Sequence, residues 1–128
     1  MINAVIGIIA ALAVVPHPGG YGTGGGRDTP RARLTLSYAA ETGSAAGVTL
    51  TCEPDGGGHP RAGRACAALT RAGGDPDRIR PRRVYCMTVY APVTAEMTGV
   101  WRGRNIRWQH TYGNACEMRR ATGVLFAF

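Results

Sequence analysis

A chain of 128 residues and 13.5 kDa has room for one domain with one modest core. With 45% hydrophobic and 18% charged residues and a mean hydropathy of -0.10, it has the composition of a soluble globular protein rather than a disordered one. This length and composition disfavour a multidomain enzyme, a polytopic membrane protein and a coiled coil; all 15 basic residues are Arg, which excludes any site that needs Lys, and the formal net charge of +7 makes an anionic partner worth testing.

Residues 1–15 form an uncharged apolar run, too short for a confident membrane span. The run matches the apolar core of a secretory signal without its cationic start, and Ala11-Leu12-Ala13 offers a small-x-small cleavage site. A buried N-terminal helix is the competing reading. Residues 16–31, rich in Gly and Pro, read as a linker, so the folded domain is expected over 32–128.

Polar and apolar residues alternate from Arg33 to Tyr38, which predicts a strand with Leu34 and Leu36 inward and Arg33, Thr35 and Ser37 outward. A second strand, Gly47 to Cys52, places Val48, Leu50 and Cys52 on one face. After a turn-rich loop, Arg61 to Arg71 carries Ala62, Ala65, Cys66 and Leu69 at helical spacing, and Gly73-Gly74 supplies a C-terminal stop. Val84 to Tyr90 has strong β character. Val93–Val100 and Ile106–Tyr112 flank a turn at Arg102 to Asn105, which predicts a hairpin. Asn114 can cap a helix through Arg120 that Gly123 ends, and Val124 to Phe128 reads as a last strand. The expected fold is α+β, an antiparallel sheet of about five strands with two helices on one side.

Cys52, Cys66, Cys86 and Cys116 are separated by 13, 19 and 29 residues, without the close pair that zinc sites favour. Two disulfides in a small secreted domain is the economical reading, with three connectivities open. No catalytic constellation is visible. Ser37 and Ser44 lie in no nucleophile motif, His59 and His110 have no evident partner, and Glu96 and Glu117 fit solvent-facing positions. The chain is therefore not expected to be an enzyme, nor to need a cofactor or a metal. The Arg78 to Arg83 run reads either as a solvated loop or as a basic patch for an anionic partner.

The segment around Cys86 is β-rich, lies between a polar loop and Pro92, and has a cysteine as its third residue. A cross-linked segment of that kind suits a binding strand whose ordering cost is met in advance. The wider sequence resembles the Streptomyces subtilisin inhibitor family of secreted serine-protease inhibitors. The resemblance rests on Val48-Thr49-Leu50-Thr51-Cys52, on His59-Pro60 with Ala62-Gly63 and Ala65-Cys66-Ala67, and on Gly73-Gly74-Asp75. It continues through Cys86-Met87-Thr88-Val89-Tyr90-Ala91-Pro92-Val93, Gly99-Val100-Trp101, Cys116-Glu117-Met118 and the closing Val124 to Phe128.

The resemblance implies a subtilisin-inhibitor-like sandwich with disulfides Cys52–Cys66 and Cys86–Cys116. It also implies a secreted protein with an extracellular subtilisin-like protease as partner, and no nucleic-acid or membrane partner for the mature form. By the family's register, the scissile bond of a standard-mechanism inhibitor is Thr88–Val89. Tyr85, Cys86, Met87 and Tyr90 then form the rest of the protease-binding loop, and Asn114 supports it from beneath. A homodimer is implied too, weakened here because Arg33 stands where the family typically has an aliphatic residue. Met87, Thr88 and Ala91 depart from the family's usual Pro, large or basic residue, and acidic residue. A basic binding module on the same scaffold, without strong inhibition, is the alternative.

Overall fold

The computed structural model describes residues 29–128, so the signal-like segment and most of the linker lie outside the described residues. Five antiparallel strands are present: β1 (Ala32–Ala40), β2 (Ala45–Cys52), β3 (Gly56–Gly57), β4 (Val93–Trp101) and β5 (Arg104–Tyr112). They are ordered β3-β2-β1-β4-β5, so β1 is central. Among the described residues there are also two helices, α1 (Ala62–Arg71) and α2 (Ala115–Thr122), and one 3-10 turn at Pro76–Arg78.

The alternation in β1 does what its sequence requires. Leu34 and Leu36 are buried, while Arg33 and Thr35 are exposed. The pairing register aligns Leu34 with Leu50 on one side and Leu36 with Met97 on the other, so three strands present one apolar face. On that face Ala65, Cys66 and Leu69 of α1 and Met118 of α2 close the core. Burying so many aliphatic side chains, each worth roughly 1.5–3 kcal/mol when fully removed from water, holds the two layers together.

Local signals set the element ends. Gly73 N–H donates to Thr70 O and Gly74 N–H to Leu69 O, and both glycines have positive φ, which is the Schellman ending of α1. Gly74 has a second reason to lack a side chain: a Cβ there would lie 2.5 Å from Trp101 Cδ1. The β4–β5 turn is tighter than expected. Trp101 pairs with Arg104, leaving only Arg102 and Gly103 in the turn, at φ 46 and 83. Positive φ at both central positions is the geometry that matches strand twist in two-residue hairpins. The Arg102 guanidinium pairs with Glu53 and lies 5.3 Å from the Trp101 ring centroid, contacts that hold the uncommon conformation.

Two expected strands are not strands. Val124 to Phe128 turns instead of pairing, with Leu125 N–H donating to Thr122 O and Ala127 N–H to Val124 O. Its neighbours Leu125 and Phe126 are both fully buried, which a half-buried strand cannot achieve. Phe126 packs on Trp108 at 5.6 Å between centroids, and the Tyr38 hydroxyl donates to Phe128 O at 2.7 Å. Val84 to Tyr90 is irregular and does not enter the sheet, and the fifth strand is the short Gly56–Gly57 piece instead.

Candidate functional site

Of the six large hydrophobic side chains left exposed among the described residues, five fall in the segment 84–90. Tyr85 is 88% exposed, Tyr90 84% and Met87 71%, with Val84 and Val89 about half exposed. Apolar surface concentrated in one short segment marks a docking surface far better than isolated exposed residues do.

The segment is exposed but anchored at several points. At its start the Arg82 N–H donates to Arg120 O, and past its end the Ala91 N–H donates to Gly113 O, both at 2.8 Å. Between these points Cys86 is bonded to Cys116 in the first turn of α2. The other disulfide, Cys52–Cys66, joins the end of β2 to α1, and no free cysteine remains. Both bridges are those the family resemblance implies.

Asn114 does two jobs with one amide. Its Oδ1 accepts from the Glu117 N–H at 2.8 Å and so caps α2. With the oxygen committed to the helix, Nδ2 must face the loop, where it donates to Val89 O at 2.8 Å and Met87 O at 3.3 Å. The helix thereby orients the amide, and the amide bridges the residues on either side of Thr88. The Val89 N–H donates back to Met87 O at 2.9 Å, which bends the backbone at Thr88. Thr88 itself is exposed and makes no hydrogen bond, leaving its carbonyl free for a partner.

Most of the other candidate side chains are committed to structure. His59 is buried, accepting from the Arg61 N–H at Nδ1 and donating from Nε2 to Leu125 O. The Trp108 indole donates to Asp77, and His110 packs against both Trp108 and Tyr112. Burial, with a smaller contribution from the Asp77 carboxylate, pushes the Tyr112 phenol up to about 12, so it stays protonated through the neutral range. Glu117 pairs with Arg120 and Glu96 faces solvent on the open side of the sheet. The Cys52, Asp55 and Cys66 side chains lie close together, but both sulfurs are spent in the disulfide and offer no thiolate to a metal.

A small sandwich that displays one disulfide-tied apolar loop belongs to the class of rigid-loop binding proteins. The subtilisin inhibitor-like family model matches residues 30–114, and the chain belongs to that family. A Streptomyces avermitilis relative is 49% identical over 78 residues, a match spanning 61% of this chain and 53% of that protein. This chain thus aligns with about half the length of that relative. Subtilisin inhibitor-like protein 1 of Streptomyces cacaoi is 42% identical over 99 residues, covering 73% of this chain and 89% of the relative. Among solved structures, Streptomyces caespitosus sermetstatin, crystallised in complex with Bacillus licheniformis subtilisin, is similar with a TM-score of 0.64 and 26% identity. That match covers 76% of this chain and 98% of the other.

Sequence reasoning placed the loop residues and Asn114 together through the family resemblance. It missed the Arg82–Arg120 and Ala91–Gly113 backbone bonds. Backbone pairing between irregular segments leaves no side-chain signal.

Proposed function

We propose that the chain is a secreted inhibitor of subtilisin-like serine proteases, acting through the loop Tyr85–Tyr90 with Thr88–Val89 as the scissile bond. The observation that carries this reading is the Asn114 bridge to Met87 O and Val89 O beneath an exposed, hydrogen-bond-free Thr88. A protease engages an extended segment through its backbone and attacks one carbonyl. Here the segment is ordered before binding, so little association energy goes into ordering it. If the bond is cut, the Cys86–Cys116 bridge and the Asn114 contacts keep both new ends in place, so hydrolysis can reverse faster than the pieces separate. The two disulfides fit an oxidising, extracellular setting. Among the described residues no helix is long and apolar enough to cross a membrane.

Titration against a subtilisin should show one-to-one inhibition with slow accumulation of a nicked form. N-terminal sequencing of that form should give a new end at Val89. A new end at any other residue removes the assigned bond, and rapid turnover of the chain as an ordinary substrate removes the inhibitor reading.

The reading extends to a homodimer through the open face of the sheet. There Arg33 pairs across with Thr51 and Val100, and the next rows hold Thr35, Thr49, Thr98 and Arg107. This is a polar face on which Val100 is the one large hydrophobic exposed. Two copies of Arg33 near a two-fold axis repel and resist desolvation. The dimer should therefore dissociate at micromolar concentration in sedimentation experiments, and Arg33→Val should tighten it at least tenfold. Wild-type protein that stays dimeric at nanomolar concentration would contradict this.

A further inference from the structure

Arg61, Arg64, Arg71, Arg80 and Arg82 line a single groove between α1 and the segment 79–82. All five are exposed, and no carboxylate lines the groove. The three ion pairs among the described residues, at Arg78, Arg102 and Arg120, use none of the five. The convergence is tertiary. Arg64 and Arg71 lie on one side of α1 with Arg61 at its N-terminal end, while Ile79 packs against the core and leaves Arg80 and Arg82 outward. Five guanidinium groups in a groove with no carboxylate in its lining make the local surface strongly positive, although Arg71 also borders the adjoining groove that Glu53 and Asp55 line. Such a surface favours an anionic partner.

The groove runs directly into the loop. Arg82 is pinned by its backbone bond to Arg120, and Thr88 follows six residues later. At 3.3–3.6 Å per extended residue the separation is at most about 22 Å. Protease–inhibitor interfaces bury about 800 Å² per partner, so a group that far from the scissile bond meets the rim of the contact rather than its centre. Rim charges act mainly on the rate of encounter.

Resting on the inhibitor reading, we propose that this groove is a second recognition zone for the protease. It selects enzymes whose surface is acidic beside the non-primed subsites, and it does so by accelerating association. The loop determines which cleft is filled, and the arginines determine which protease arrives there quickly.

The test compares association rates with Bacillus licheniformis subtilisin, native and acidified by succinylation of its lysines, each calibrated by active-site titration. At low salt the wild type should associate about tenfold faster with the acidified enzyme, and the advantage should disappear near 0.5 M salt. Arg80→Glu/Arg82→Glu should abolish the advantage while changing the dissociation rate less than about twofold. Arg31→Glu/Arg104→Glu, which changes net charge equally at exposed sites at the end of the sheet away from the loop, should keep most of it. Equal losses in the two double variants would assign the effect to net charge and overturn the proposal. The absence of any acceleration, or oligonucleotide binding at the groove with unchanged protease association, would overturn it as well. Failure of the inhibitor reading looks different: the wild type then inhibits neither enzyme at any salt concentration, and the inference falls with it.

Discussion

Thr88→Lys should create trypsin inhibition where the wild type should show almost none. Thr88 is small, β-branched and uncharged, so it offers nothing to the buried carboxylate of a trypsin-type specificity pocket. On the proposed Thr88–Val89 register, Lys would reach that carboxylate, and a desolvated charge pair of this kind is worth roughly 3–5 kcal/mol, on the order of a thousandfold in the dissociation constant. The substitution should leave folding intact, because Thr88 is exposed and makes no hydrogen bond that would be lost. Thr88→Leu tests the same position with the opposite chemistry. Filling an apolar pocket that Thr underfills should tighten subtilisin binding by about 1–2 kcal/mol without any gain against trypsin. Inhibition constants measured for the three proteins against both enzymes check the assignment. Tight binding of trypsin by the wild type, or no gain in the Lys variant, would place the specificity residue elsewhere.

Removing the Cys86–Cys116 bridge should turn the inhibitor into a substrate. The bridge closes a sequence separation of 30 residues and the Cys52–Cys66 bridge one of 14. By the chain-entropy model these are worth roughly 3.5 and 3 kcal/mol, so loss of either should lower thermal stability by a similar amount. Their effects on function should differ sharply. Without Cys86–Cys116, the loop keeps only the Asn114 contacts and its two backbone anchors. Proteolysis should then be rapid and lead to released products. Without Cys52–Cys66, the loop and its supports are untouched, and inhibition should persist wherever the domain remains folded. Time courses of residual protease activity for Cys86→Ala/Cys116→Ala and Cys52→Ala/Cys66→Ala separate the two roles. Persistent inhibition by the first variant would show that Asn114 and the backbone anchors suffice.

These expectations depend on rigidity, and its sources differ in how legible they were. Asn114 reads as a helix cap from the sequence, and that reading holds. What it does to the loop depends on a consequence of capping. Once Oδ1 is committed to the Glu117 N–H, only Nδ2 remains to face the loop. Val84 to Tyr90 reads as a strand because its side chains favour extended backbone. Extension is a local property, whereas entering a sheet needs a neighbouring strand with free backbone groups. Cys116 pulls the segment over the first turn of α2 instead, and the same side chains that suit a strand become an exposed binding surface.

By itself the sequence determined the α+β composition, the inward and outward faces of β1 and β2, the end of α1 at Gly73-Gly74 and the family. The family was legible through a resemblance that runs along most of the folded part; the others depend on spacing or on a residue's own backbone preference, which act over a few positions. Only the tertiary structure decided that Val124 to Phe128 coils into the core and that the fifth strand is Gly56–Gly57. It also decided that the 84–90 loop is held from Gly113 and Arg120, and that arginines up to 21 residues apart share one groove. Those outcomes depend on which distant groups meet once the sheet and helices pack, and no local pattern in the chain encodes them.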